Sequence, residues 1–116
     1  MEIFIKDFIE MGPLYYDEIL LYYDTPQLFT LIDKNKNKYL SMLITEDKKL
    51  EYLVVEISED RLDNIKSSSL SLRHAFTHPE NNQIFKVMGK NSFSLTIQDL
   101  QEKDLPNKGI YLNMVK

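Results

Sequence analysis

A chain of 116 residues, 43% hydrophobic and 28% charged, has the composition of an ordinary globular domain and is long enough to bury about two-thirds of its unfolded surface around one core. Its formal charge of −4 gives no general attraction to phosphate backbones, so nucleic acid is not expected as a partner. The absence of cysteine excludes disulfides, thiolate zinc sites, iron–sulfur clusters and cysteine nucleophiles together.

No stretch approaches the roughly 20 apolar residues of a membrane helix, and membrane association is not expected. The start, Met1-Glu2-Ile3-Phe4-Ile5-Lys6-Asp7, lacks the basic opening, apolar middle and small-residue cleavage site of a secretory leader, so the expectation is a cytoplasmic protein.

In chain order, Ile3, Phe4, Phe8 and Ile9 fit one face of a short helix, while the alternation of Ile3 and Ile5 fits a strand equally well; Gly12-Pro13 ends whichever forms. Residues 14–23 are rich in aromatic and branched types and predict a strand. Asp24-Thr25-Pro26-Gln27 reads as a turn, because Asp bonds backbone groups ahead of it and Pro presets φ. Strands follow at 28–32, 38–44 and 50–57, separated by the polar tips 33–37 and 46–49. Such short connections require an antiparallel meander, since parallel neighbours need long crossovers.

At Ser58 the period changes. Ser58-Glu59-Asp60-Arg61-Leu62 has a capping hydroxyl, two acids at the positive end of the helix dipole, and an apolar pair in Leu62 and Ile65. This helix stops in Ser67-Ser68-Ser69. A second begins at Ser69 or Ser71, places Leu72, Ala75 and Phe76 on one face, and ends before Pro79. Strands at 83–88 and 92–97 flank a turn at Gly89-Lys90-Asn91, and the tail from Asp99 to Lys116 is expected to pack back on the domain as extended chain. The fold expected is a single α+β domain over residues 1–116: a mainly antiparallel meander sheet of five or six strands, with two short helices between strands four and five.

Several of these segments together are similar to a known pattern. Tyr22-Tyr23-Asp24-Thr25-Pro26-Gln27-Leu28-Phe29, Tyr39-Leu40, Ser71-Leu72-Arg73-His74-Ala75-Phe76 with Pro79-Glu80, and Asp104-Leu105-Pro106-Asn107-Lys108-Gly109 resemble an uncharacterised bacterial and phage domain family over residues 14–112. The resemblance implies a bacterial or phage setting and no particular activity.

The side chains that suggest chemistry each have a structural explanation beside the functional one. His74 and His78, four residues apart, share a helix face if the helix continues, the spacing of a two-imidazole metal site; but no Glu follows the first His and Pro79 breaks the helix, so two histidines at a helix C-terminus explain them as well. Asp17 and Glu18 are adjacent on a strand and point to opposite faces, while Asp24 and Asp33 sit where turns favour Asp, so no converging carboxylate pair is expected. The serines of 67–71 read as linker and cap, no Gly-x-Ser-x-Gly elbow occurs, and the isolated glycines at 12, 89 and 109 form no phosphate-cradling loop. The run Lys34-Asn35-Lys36-Asn37-Lys38 reads as a solvated hairpin tip.

The seven tyrosines are the informative surplus. On a regular strand Tyr15 and Tyr23 share one face and Tyr16 and Tyr22 the other; one face lines the core, and the other is either covered or offers a protein-binding patch. The expectation is therefore a non-catalytic protein-interaction module without metal or cofactor, a phage or mobile-element protein that binds and inhibits a bacterial host or defence protein through Tyr16, Tyr22, Tyr23 and Asp24. Self-association into a homo-oligomer is a further expectation. The alternative is a small-ligand binder or enzyme with a pocket between sheet and helices formed by Arg73, His74 and His78.

Overall fold

The computed structural model describes residues 3–8, 12–23, 25–45, 51–81, 83–88 and 91–95, and for 3–8, 23, 25, 45 and 91–95 it describes the backbone alone. The elements are strands β1 (Ile3–Phe8), β2 (Gly12–Tyr23), β3 (Thr25–Ile32), β4 (Lys38–Thr45) and β5 (Glu51–Glu56), helices α1 (Glu59–Lys66) and α2 (Leu72–Thr77), and strands β6 (Ile84–Met88) and β7 (Asn91–Leu95). The strands form one sheet in sequence order, every neighbouring pair antiparallel.

The meander and the helical pair follow the expectation, but the sheet has seven strands rather than five or six. The added strand is β1. Its apolar spacing satisfies both periods, and pairing with β2 decides for the strand. The strand before the helices is consequently the fifth, not the fourth. Gly12-Pro13 opens β2 instead of ending the preceding element: Gly12 faces Phe8 across the ladder at φ +81, a left-handed value glycine adopts without strain. The turn expected over residues 24–27 is tighter, because Tyr23 pairs with Thr25 and Tyr22 with Pro26. Pro26 is tolerated because it precedes Leu28, where the described ladder to β4 begins.

Both faces of the sheet are buried, which is why β4 reads Tyr39-Leu40-Ser41-Met42-Leu43 with almost no polar alternation. One face holds Leu28, Leu40, Leu53, Val55 and Ile84 and is covered by Leu62 and Ile65 of α1 and Leu72, Ala75 and Phe76 of α2. The other holds Leu14, Phe29, Leu31, Tyr39, Tyr52, Val54, Phe85 and Val87, drawn from five strands. No helix covers it. The sheet instead curls round it, bringing Cα atoms of β7 within 8 Å of β1, as in a small barrel filled by its own side chains. Phe29 sits at its centre, 5.1 Å from the Tyr16 ring and edge-on to Tyr52 at 5.4 Å.

The curl is made largely in β2, whose register with β3 shifts between Tyr16 and Glu18, between Ile19 and Leu21, and between Leu21 and Tyr22. At the first shift the buried Thr30 hydroxyl serves both sides, accepting from the Glu18 N–H at 3.1 Å and donating to Asp17 Oδ2 at 3.1 Å. Local chemistry closes the other connections. Asp33 Oδ1 accepts from the N–H groups of Asn35 (2.8 Å) and Asn37 (2.9 Å), and Oδ2 from the Tyr39 hydroxyl (3.2 Å). Ser58 caps α1 as expected, accepting from Arg61 N, and of the two starts expected for the second helix, Ser69 and Ser71, it is Ser71 that caps α2, accepting from His74 N. Helix α1 ends with Ser68 at φ +64, its N–H reaching Ile65 O and that of Ser69 reaching Asn64 O, a pattern usually closed by glycine.

Candidate functional site

The β2 surface is the first candidate. The three register shifts break the regular alternation, so the expected grouping of Tyr16 with Tyr22 on one face is corrected. Tyr16 is half-buried against Phe29, part of the inner core, whereas Tyr22 is 62% exposed. Sequence reasoning missed its companion, Ile19, which is 49% exposed although it pairs with the fully buried Phe29. Ile19 and Tyr22 are the exposed large hydrophobic side chains among the described residues. Strand alternation alone gave no signal for the exposure of Ile19, which by its pairing with Phe29 lies on the same face as the inner core. Asp24 lies outside the described residues, as do the side chain of Tyr23 and the tail from Asp99 to Lys116 that was expected to pack back.

Acids near this surface are tied into structural pairs. Asp17 Oδ2 lies 3.4 Å from Lys38 Nζ, which lies 3.0 Å from Glu59 Oε1, so one ammonium joins β2, β4 and α1. The Lys38 pKa is raised, first by its hydrogen bond with Glu59; desolvation opposes this, and the charge and hydrogen bond of Asp17 add to the rise. Glu18 pairs with Lys66 of α1 at 2.6 Å. Asp17 and Glu18 thus have separate partners, and Asp33 is the buried anchor of a hairpin. In the 34–38 run, Lys34 and Lys36 are exposed on the hairpin tip while Lys38 is drawn into the Asp17–Glu59 pairing.

The second candidate is the end of α2. His74 and His78 are brought together there, their rings stacked with centroids 4.2 Å apart and planes 11° from parallel. The nitrogen lone pairs lie in parallel planes and do not converge on a common metal position. His74 has its pKa lowered, first by burial, then by His78 and Arg61. His78 Nδ1 is 2.9 Å from Thr77 Oγ1, which donates to Arg73 O at 2.9 Å, so His78 supplies the proton of the first bond. Arg61 Nη1 donates to the His78 carbonyl, and Arg61 Nε lies 3.6 Å from Glu80 Oε1. That carboxylate also accepts from the Ser58 N–H at 2.8 Å. Arg73 is half-buried on α2. The region between sheet and helices, where the alternative reading expected a pocket, is occupied by the apolar core of Leu53, Val55, Leu72 and Phe76.

A cleft of about 230 Å³ lies elsewhere, lined by Asn37, Lys38, Glu56, Ile57, Ser58 and Glu80. It was not legible in the sequence, because its walls come from the β3–β4 tip, the end of β5, the α1 cap and the turn after α2. Glu56 accepts from Asn81 Nδ2 at 3.0 Å, and Glu80 is held by Ser58 and Arg61. No group of three or more potential metal-ligating His, Cys, Asp or Glu side chains occurs among the described residues. No helix among them is long and apolar enough to cross a membrane.

No curated protein and no solved structure matches the chain. A family model, described as a family of unknown function (DUF6575), matches residues 1–115, further in both directions than the span of the resemblance seen in the sequence. The chain with this curled seven-stranded sheet belongs to the DUF6575 family.

Proposed function

We propose that the protein is a small non-catalytic interaction module that engages a partner protein through the exposed side chains of β2, Ile19 and Tyr22. The observation that carries this reading is the exposure of Ile19 and Tyr22 together on the most distorted strand of the sheet. Large apolar and aromatic side chains left in solvent on a well-packed domain are characteristic of recognition surfaces, where Tyr is enriched among the residues that carry binding energy. The carboxylates Asp17, Glu18 and Asp33 are engaged structurally: Asp17 and Glu18 hold lysines, and Asp33 holds a turn. A net charge of −4 favours approach to a basic partner surface. The resemblance to bacterial and phage domains directs the search to bacterial host and defence proteins, with inhibition of such a protein as the expected consequence.

Capture from a bacterial lysate at mild salt, with the wild type and with Ile19→Ser/Tyr22→Ser in parallel, tests the reading. One stoichiometric protein should be retained by the wild type and lost by the variant; retention of no such protein, or equal retention by both, overturns it. Light scattering of the isolated chain distinguishes a separate partner from a second copy of the same chain.

A ligand-binding reading is favoured by the cleft at Asn37, Glu56 and Glu80, although its volume is below the roughly 300–1,000 Å³ usual for small-molecule sites. Thermal-shift screening with metabolites tests it: a ligand at a hundred times its dissociation constant stabilises by about 2.7 kcal/mol, and no shift with any compound removes this reading.

A further inference from the structure

The contacts at the end of α2 form a connected unit that the interaction reading does not use. The histidine rings are stacked at 4.2 Å, the His78 carbonyl accepts from Arg61 of α1, and Glu80 joins Arg61 to the α1 cap at Ser58. The chain has only these two histidines. We infer that the stacked His74–His78 pair, clamped to α1 through Arg61, is an acid-sensitive latch that holds the helical cover on the sheet near neutral pH and releases it when both rings are protonated.

The charge environment supports this assignment. Arg61 is a fixed cation on α1 beside the pair, and Arg73 is a second on α2 itself. Glu80, in the turn after α2, is the nearby acid, and it is already shared between Arg61 and the Ser58 N–H. Strand β5, which packs against α2, carries Glu51 and Glu56; Glu51 pairs with Lys86 at 3.4 Å and Glu56 with Asn81. A helix C-terminus tolerates one imidazolium. A second, face to face with the first and beside Arg61, has no free acid among these groups to offset it.

His78 is the exposed member, so repulsion is relieved when its ring swings out. That movement breaks its bond to Thr77 and disturbs the carbonyl that Arg61 holds. The last turn of α2 then loosens over Leu72, Ala75 and Phe76, the residues that close the outer core.

The direction with pH follows from linkage. The His74 pKa is lowered in the folded chain, so its contribution to stability is complete above the unfolded value of about 6.5 and is lost as pH falls from there through the folded value. The test is an NMR titration of the histidine ring signals in the full chain between pH 8 and 4.5, with amide exchange measured over Leu72–Thr77. His74→Gln and His78→Gln assign the two signals. In the wild type the His74 ring should titrate below the ordinary histidine value, and exchange in α2, corrected for the intrinsic pH dependence, should accelerate about tenfold for each unit of that depression. Amides of β3 and β4 should not follow. His74→Gln should abolish the acceleration, and His78→Gln should reduce it to the part that burial of His74 alone supplies. A His74 titration at or above the ordinary histidine value, unchanged α2 protection on acidification, or an acceleration undiminished in His78→Gln would each overturn the latch.

Discussion

The two faces of the sheet carry cores of similar chemistry but different enclosure. Phe29, Tyr39, Tyr52 and Phe85 lie within the curl of the sheet on paired strands, so exposing them fully requires breaking backbone ladders. Leu28, Leu40, Leu53 and Val55 are covered by helices of eight and six residues, which are too short to persist alone and exist because they dock. Equal apolar burial therefore gives unequal permanence: one core opens only with global unfolding, the other by undocking a lid.

The largest test compares two fully buried phenylalanines. Phe29→Ala should cost about 4 kcal/mol and accelerate amide exchange throughout the sheet. Phe76→Ala should show a comparable loss in urea titration of the helical signal, but exchange should rise in α1 and α2 well before β3 and β4. Identical exchange maps for the two variants would erase the distinction between the faces.

Asp33→Ala should cost about 2 kcal/mol, because two backbone N–H groups and the buried Tyr39 hydroxyl lose a charged acceptor. Tyr39→Phe should cost less in chemical denaturation at pH 7 and reduce loss of stability at high pH. The Tyr39 pKa is raised, by burial first and by Asp33 next, so its contribution is complete below the unfolded value of about 10 and declines as pH rises beyond it.

Two small substitutions sharpen the comparison from opposite sides. Ser41 is fully buried on the inner face, and its Oγ has no hydrogen-bond partner. Ser41→Ala should stabilise by about 1 kcal/mol with an unchanged denaturant slope. On the helical side, Ser68→Gly should relieve the left-handed residue that ends α1, adding about 0.5 kcal/mol in thermal unfolding and protecting chiefly α1. Destabilisation by either change would contradict the corresponding local account.

What was legible in the sequence is what short-range chemistry dictates. Ser58, Ser71 and Asp33 announce their caps and turn, because each satisfies backbone groups within a few residues. The order of strands and helices follows from these punctuation marks and the change of period at Ser58. The face assignment of Tyr22 failed because alternation holds only on a regular strand, and the bulges of β2 arise from curling that no single segment encodes. Ile19 was missed because its pairing with Phe29 places it on the face of the inner core, where alternation gives no signal of exposure. β1 remained undecided because Ile3, Ile5 and Phe8 suit both periods until a partner strand is present. The cleft brings together residues from three separate stretches, and the histidine stack depends on a side-chain geometry that four-residue spacing permits but does not require.

The sequential strand order also bears on how the chain is made. Each strand of the sheet joins one that has already emerged, so a nascent chain can extend the sheet as it leaves the ribosome, pausing only for the helical excursion between β5 and β6. The approach of β7 to β1 is the last event in that sequence, and until it occurs the aromatic interior stands open along one side. The interval of greatest exposure to misassembly thus falls between the emergence of β6 and the arrival of β7, when the sheet is nearly built but its two rims have not met.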